Sequence, residues 1–330
     1  MIGDQSPFMV KQRITLPQPP ALPSPTPPGA PPAPPSPRQA TALVPSVRGF
    51  KIAENQSPAP QDRVFFSFHD FTDLNGPLNR RFEAPVNNLR AYRYIFGFEK
   101  TFDGGRGSFG VRLPLNTLTA NSALTGNFAK LAGTSTSLGD LGLFTKYVLK
   151  ADPRTGSLLS VGLQLTLPTG PNQFAGARYI TGLNDTLIEP FLGYLLIRDR
   201  FYLQGFSSVS TPSSIRDVTM IYNDIGVGYF LFRSEAPNPF FTSVAPTVEA
   251  HVNTPLTHRD VYNANDIAGT PTVVDLTYGL NVGIKGRSNL TFGVVTPVTG
   301  PRPFNTEYLL LFNAYFGRSR RNAAPPILGG

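Results

Sequence analysis

From Arg63 onward, large apolar residues alternate with small or polar ones at a period of two, in about twelve segments of roughly nine to fourteen residues. In the segment 89–102, Tyr92 and Phe96 share one face, whereas Arg93 and Glu99 share the other. In an amphipathic helix the apolar residues would recur about every 3.6 residues, and none of the segments shows this period. The pattern therefore predicts an all-β chain.

The connections between these segments alternate in length. We place the strands near 63–71, 89–102, 106–115, 138–150, 157–168, 185–197, 200–210, 222–233, 240–253, 273–286, 289–297 and 306–317. Tight turns such as 103–105 and 198–199 alternate with longer loops such as 72–88 and 116–137. An even number of strands with short turns at one end and long loops at the other is typical of an antiparallel up-and-down transmembrane β-barrel, here of about 12 strands. Both ends of the barrel would lie on the short-turn side.

The polar face distinguishes a membrane barrel from a soluble β-sandwich or barrel, which would cover its outer face with charged residues. Here the polar positions are rich in glycine: Gly97, Gly110, Gly142, Gly162, Gly226, Gly228, Gly279, Gly283 and Gly293. Glycine inside a small barrel leaves room for neighbouring side chains or for a pore. We therefore expect a bacterial outer-membrane barrel in contact with the lipid bilayer. Pro190 and Pro246 lack a ladder donor and should mark bulges or strand ends.

Charged residues also recur on the polar faces. They cannot face lipid, because an arginine or lysine at the bilayer midplane costs about 2–4 kcal/mol. The predicted lumen-lining residues are Arg93, Glu99, Arg112, Asp140, Lys146, Lys150, Glu189, Asp224, Glu249, His251, Asp275 and Lys285. Two interpretations stay open: salt bridges that fill a closed lumen, or the selectivity lining of a narrow passage. The chain has no cysteine and no third ligand spaced near Glu249 and His251, so we expect no metal and no cofactor.

Catalysis and nucleic-acid binding have little support in the sequence. Ser67 and His69 share a strand face, and their spacing resembles the serine and histidine of outer-membrane phospholipases, but no third triad member is evident. The formal net charge is +8, yet the lysines and arginines are scattered rather than clustered on one element. We therefore expect neither an enzyme nor a nucleic-acid-binding protein.

The first sixty residues differ in composition from the rest. Twelve of the twenty-one residues in 17–37 are proline, and proline fixes φ and lacks an N–H. We therefore predict an extended polyproline II arm that cannot pair as a strand. The predicted divisions are an arm over 1–60, a barrel over 61–317 and a C-terminal tail over 318–330. We expect the arm to bind a periplasmic or envelope protein through Ile14, Leu16, Leu22 and Phe50.

Two neighbouring segments carry a family resemblance. The sequences GDLGLFTKYVLK (139–150) and LLSVGLQLTLPTG (158–170) resemble the paired strands of the outer-membrane transporter family named for the MetA pathway of phenol degradation. In that family a strand led by Gly-Asp and ending in a Lys-Tyr pair precedes a strand that closes on Leu-Pro-Thr-Gly. The resemblance implies a passive, non-enzymatic channel or uptake pore for small solutes. The alternative is a structural barrel subunit that anchors a cell-envelope assembly through its proline-rich arm, which is not part of the family pattern.

Overall fold

The structure is a computed structural model that describes residues 10–16, 38–44, 55–74, 76–81, 86–122, 133–170, 173–174, 177–178, 185–234, 236, 239–259 and 269–317.

Two short strands lie in the N-terminal arm. Strands β1 (Val10–Leu16) and β2 (Arg38–Val44) pair antiparallel. The prediction that the arm cannot pair is wrong for these two strands, because neither contains a proline and each keeps its backbone donors. The proline run 17–37, with Leu22, lies outside the described residues, as do Phe50 and the tail 318–330.

The rest of the chain is almost entirely strand, with one short helix, α1 (Gly76–Arg81). The strands are β3 (Arg63–Thr72), β4 (Val86–Phe102), β5 (Gly107–Ser122), β6 (Gly133–Leu138), β7 (Leu141–Ala151), β8 (Leu158–Leu167), β9 (Gln173–Phe174), β10 (Ala177–Arg178), β11 (Leu187–Arg198), β12 (Phe201–Pro212), β13 (Met220–Tyr229), β14 (Phe232–Arg233), β15 (Phe241–Pro255), β16 (Val273–Ile284), β17 (Ser288–Pro297) and β18 (Thr306–Tyr315). The described part of the chain contains no helix long and apolar enough to span a membrane.

Twelve of these strands, all but β6, β9, β10 and β14, form a closed antiparallel barrel. Each barrel strand pairs with the next one along the chain, and β18 pairs with β3 to close the ring. The predicted 12-strand up-and-down barrel is therefore confirmed. Among the described strands, β4 and β5 extend furthest beyond their predicted ends, and β6 pairs with the extension of β5.

The two ends of the barrel differ, as the alternating connections predict. One end, the short-turn end, carries tight turns such as Asp103–Gly105, where Gly104 has a φ of 67° and Gly105 a φ of 96°. The other end, the long-loop end, carries the longer connections between β8 and β11 and between β15 and β16. Both β3 and β18 reach the short-turn end, where the chain enters and leaves the barrel.

Contrary to the prediction, Pro190 and Pro246 mark neither bulges nor strand ends. Pro246 lies inside β15 and pairs with Leu280 on β16 without a local register shift. Pro190 lies inside β11, where its pairing with β8 continues, although the pairing with β12 skips Glu189 and Pro190. Each strand residue directs its N–H toward one side only, so a proline removes at most one ladder bond and the strand can continue.

Side-chain exposure alternates along the barrel strands. In β4, Phe96 is 53% exposed, whereas Arg93 and Glu99 on the other face are buried, Glu99 completely. In a closed ring of single strands, the buried face is the lumen and the exposed face is the outer wall. The barrel therefore has an apolar outside and a polar, charged inside, the reverse of a soluble globular protein.

Candidate functional site in the barrel lumen

Most of the predicted lumen-lining residues are buried on the inner face. These are Arg93, Glu99, Arg112, Asp140, Lys146, Glu189, Asp224, Glu249, His251 and Asp275. Asp140 immediately precedes β7, and the others lie within barrel strands.

The structure places two predicted lining residues elsewhere. Lys150 is exposed, because the register of β7 shifts between Val148 and Lys150 and the alternation is broken there. Lys285 is also exposed and adopts a left-handed φ of 50° in the turn after β16, with its amine 5.3 Å from the centre of the Phe240 ring. At Lys150 the predicted alternation crosses a bulge, and at Lys285 it runs past the end of β16 at Ile284.

A buried ionic network surrounds Glu99 in the half of the lumen nearest the short turns. One carboxylate oxygen accepts a hydrogen bond from Arg63 Nε at 2.8 Å. The other lies 2.8 Å from Lys146 Nζ and accepts bonds from Ser108 Oγ at 2.7 Å and from the Gln61 amide at 3.0 Å. Two cations share one carboxylate, so the network carries net positive charge inside the barrel.

Residues 55–61, here called the inner segment, lie inside the lumen. Gln56 Nε2 donates to Gln164 Oε1 at 3.1 Å, and Lys146 Nζ donates to the Ser57 carbonyl oxygen at 2.7 Å. The bonds to β7 and β8 come from side chains that point into the barrel. The division at residue 60 therefore places most of the inner segment in the wrong unit, since it belongs with the barrel interior.

The inner segment also contacts the strands at which the barrel closes. Asn313 Nδ2 on β18 donates to Asn55 Oδ1 at 2.7 Å, and Arg63 Nη1 on β3 donates to the same oxygen at 3.3 Å. Sequence reasoning missed this role because Pro58 and Pro60 resemble the prolines of the arm. The amides of Asn55 and Gln56, which can pair with a polar lumen, were the available signal.

A second network lies on β13, β15 and β16. His251 Nδ1 is 2.8 Å from Asp224 Oδ1, and His251 Nε2 is 2.9 Å from Thr277 Oγ1. Glu249 Oε2 is 3.7 Å from His251 Nε2, and Asp275 lies directly opposite His251 in the β15–β16 register. Three carboxylates thus surround one imidazole. Among the described residues, no three His, Cys, Asp or Glu are grouped closely enough to hold a metal ion.

The histidine considered for catalysis has an acidic partner that the sequence did not reveal. His69 Nδ1 is 2.5 Å from Glu307 Oε1, and both side chains are buried. β18 brings Glu307 beside β3, a pairing between the two ends of the chain that spacing alone cannot show. Ser67 Oγ and His69 Nε2 are both without a hydrogen-bond partner, so no nucleophile–base bond is formed.

The buried cations lie in one sector of the barrel wall, and half of the buried strand carboxylates or more lie in another. The cations Arg63, Arg93, Arg112 and Lys146 lie on β3, β4, β5 and β7, together with the carboxylates Asp70 and Glu99. The carboxylates Asp224, Glu249, Asp275 and Glu307 lie on β13, β15, β16 and β18, and Glu189 lies apart from both groups on β11. Between these sectors, β8, β11 and β12 contribute rings such as Phe191 and Phe206, whose centres are 5.8 Å apart in an edge-to-face arrangement. Any solute in the lumen would meet a positive, a negative and an aromatic side.

Several glycines make room for these rings. A Cβ on Gly97 would lie 2.0 Å from Phe65 Cζ, and a Cβ on Gly162 would lie 2.1 Å from Phe191 Cζ. Each glycine lies directly opposite its aromatic partner on the adjacent strand. The rings can therefore lie against the inner wall, so these glycines accommodate neighbouring side chains.

Two aspartates outside the strands hold the ends of the barrel. Asp62 Oδ1 accepts bonds from Lys100 Nζ at 2.8 Å and from the amide and hydroxyl of Thr101 at 2.8 and 2.7 Å. Burial opposes ionisation, but these bonds outweigh it and lower the pKa of Asp62 to about 2. At the long-loop end, burial raises the pKa of Asp140 to about 6, although its carboxylate accepts a bond from the Gly170 amide at 3.1 Å.

Solved structures that resemble the chain are outer-membrane barrels. The COG4313 outer membrane channel from Pseudomonas putida F1 aligns with a TM-score of 0.53 and 12% identity, over 80% of this chain and 100% of that chain. The KdgM porin aligns with a TM-score of 0.39 and 11% identity over 77% of this chain and 99% of its own. The NanC porin gives a TM-score of 0.39 and 9% identity over the same shares.

These likenesses concern the fold. The COG4313 channel shares the barrel architecture, whereas the TM-scores of the two porins are too low to support further argument. No protein-family model matches the chain, and no curated protein matches it. The family resemblance of segments 139–150 and 158–170 therefore stays an interpretation of the sequence.

Proposed function

We propose that this protein is a passive, non-enzymatic channel for small solutes in the bacterial outer membrane, with a mixed-charge lumen that the inner segment closes. The observation that carries the proposal is the attachment of residues 55–61 to the lumen by exchangeable polar contacts. Gln56, Ser57 and Gln61 bond to lumen side chains rather than to a neighbouring strand of the barrel. Such bonds can be replaced by bonds to water at little net cost.

The chemistry of the lumen supports a passage that opens. An apolar filling would resist water, but the side chains around the inner segment are Glu99, Lys146, Arg63 and Gln164, all of which water solvates well. Once the inner segment moves, these groups become the lining of a hydrated pore, and their net positive charge would favour anions. A lumen filled by salt bridges is then the closed state of the protein, and a narrow passage lined by the same charges is its open state.

The resemblance to the phenol-degradation transporter family agrees with this proposal. Its two motifs form β7 and β8, which pair with each other, and the Lys146 of the Lys-Tyr pair binds the inner segment. The resemblance adds a small solute as the expected cargo.

Planar-bilayer recording tests the proposal. The full chain is compared with a variant in which 55–61 is replaced by a Gly-Ser stretch of equal length. We expect brief, small openings from the full chain and a larger, longer-lived conductance from the variant. If both proteins insert and neither conducts, the channel is refuted and the structural alternative is favoured.

We also propose that the arm binds a periplasmic or envelope partner, with Ile14 and Leu16 on β1 and Leu22 and Phe50 nearby in sequence as the apolar contacts. The test is affinity purification of the full chain and of a chain lacking residues 1–54, which keeps the inner segment. Loss of a specific co-purifying protein on deletion is the expected result. An unchanged set of co-purifying proteins would contradict it.

A further inference from the structure

A depression of about 320 Å³ lies in the wall of the barrel across β8, β11, β12 and β13. Its outward-facing lining residues are Val161, Pro190, Leu192, Ser207, Val209 and Ile221. Apart from Ser207, these side chains are apolar, and Leu192 is 40% exposed on the outer face. The depression is therefore an apolar hollow on the surface that faces lipid.

The backbone explains why the wall is hollow at this place. Pro190 has no N–H, and the pairing between β11 and β12 skips Glu189 and Pro190 before it resumes at Phe191. Ser207 contributes a small side chain, whereas the exposed residues Ile188, Leu192 and Leu196 of the neighbouring β11 are large. A weakened seam and a small residue together leave space that no side chain of the described residues fills.

The location of the hollow identifies what covers it. Pro190 and Leu192 belong to the first half of β11, Val209 to the last third of β12 and Ile221 to the start of β13, so the hollow lies toward the long-loop end. In outer-membrane barrels the long loops are extracellular. The hollow then faces the outer leaflet, where acyl chains are the only abundant apolar groups of matching shape.

We propose that the hollow binds one acyl chain of an outer-leaflet lipid and holds it against the β11–β12 seam. The acyl chain of the lipid already lies in hydrocarbon before it binds. Its binding free energy therefore comes from van der Waals contact with Val161, Leu192 and Ile221 rather than from removal of water. A saturated chain suits this contact because it can lie straight along the seam. The proposal rests on the membrane location proposed above and does not require the lumen to conduct.

The chain contains no tryptophan, which allows a clean fluorescence test. Leu163 lies directly across from Pro190 on β8, and Val294 lies on β17, away from the hollow; both side chains are 38% exposed. Leu163→Trp and Val294→Trp are each reconstituted into phosphatidylcholine vesicles with brominated acyl chains, which quench both tryptophans. Lipid A, a saturated-chain outer-leaflet lipid without bromine, is then added in steps. We expect fluorescence at position 163 to recover at a lipid A fraction about threefold lower than at position 294.

A filling variant provides the second comparison. Ser207→Leu in the Leu163→Trp background should abolish the difference, with Ser207→Val as a smaller replacement if the leucine variant does not fold. Equal recovery at the two positions, or a difference that survives the filling variant, would overturn the acyl-chain site. If neither tryptophan is quenched by brominated lipid, the membrane location itself fails, and that result is distinct from loss of the difference alone.

Discussion

Replacing Glu99 by glutamine should destabilise the barrel more than any single change at an exposed charge. Glutamine keeps the size and an acceptor oxygen, so the main loss is the negative charge between Arg63 Nε and Lys146 Nζ, each 2.8 Å away. Both side chains are almost fully buried, and both would lose their counterion. Breaking a buried ion pair by removing one partner costs about 3–5 kcal/mol.

The free energy of unfolding can be measured by urea titration of the folded protein in vesicles, followed by far-ultraviolet circular dichroism. Glu99→Gln should lower it by about 3 kcal/mol or more, and adding Lys146→Met should restore part of the loss because it removes one unpaired charge. Asp199→Asn, at an exposed position in the tight turn between β11 and β12, is the matched control and should leave stability unchanged. A loss below about 1 kcal/mol, typical of exposed pairs, would refute the reasoning, because it would mean that water already fills this part of the lumen.

Three further outcomes follow from other parts of the lumen and its ends. Gly97→Ala places a methyl group against the Phe65 ring and should cost about 1–3 kcal/mol in the same urea titration; Phe65→Leu should recover part of this, and an unaffected stability would contradict the ring's placement. Asp62 has a lowered pKa, so its contribution to stability is present above pH 4 or so and is lost as the pH falls toward about 2; Asp62→Asn should flatten the acid limb of a stability–pH curve, and an identical acid limb would count against the contacts of Asp62. Lys146→Met should shift the reversal potential in a KCl gradient toward cations, whereas an unchanged potential would show that ions do not pass this residue.

The strands were predictable because period-two alternation is a local property. A strand with one apolar face repeats every two residues, so the twelve barrel strands could be read from residues 63–317 without knowledge of their partners. The facing of Phe96 and Glu99 followed from the same rule. The rule failed at Lys150, where a register shift without a clear sequence signal interrupts the alternation. It failed at Lys285 because the turn at Gly286 begins one residue earlier than predicted.

The contacts within the lumen were less predictable because they join residues far apart in the chain. His69 contacts Glu307 only because β3 and β18 pair to close the barrel. Gln56 contacts Gln164 only because the inner segment enters the barrel lumen. Composition also misled at the arm: the prolines of 17–37 suggested one uniform spacer up to residue 60. Two parts of residues 1–61 do not follow this expected uniform spacer: the strands β1 and β2, which contain no proline, and the inner segment, which contains side-chain amides.

The central claim is that the inner segment closes the passage, and a reducible cross-link between Gln56→Cys and Gln164→Cys, made with a bifunctional methanethiosulfonate reagent, tests it most directly. The two glutamines meet through the ends of their side chains at 3.1 Å, so a reagent that spans the length of both side chains is needed in place of a direct disulfide. The chain has no native cysteine to interfere. Single-channel recording of this variant should show no openings while the cross-link is intact, and openings like those of the unmodified chain after addition of a reductant. Openings of equal frequency before and after reduction would contradict the claim, because solute would then pass without displacing the segment.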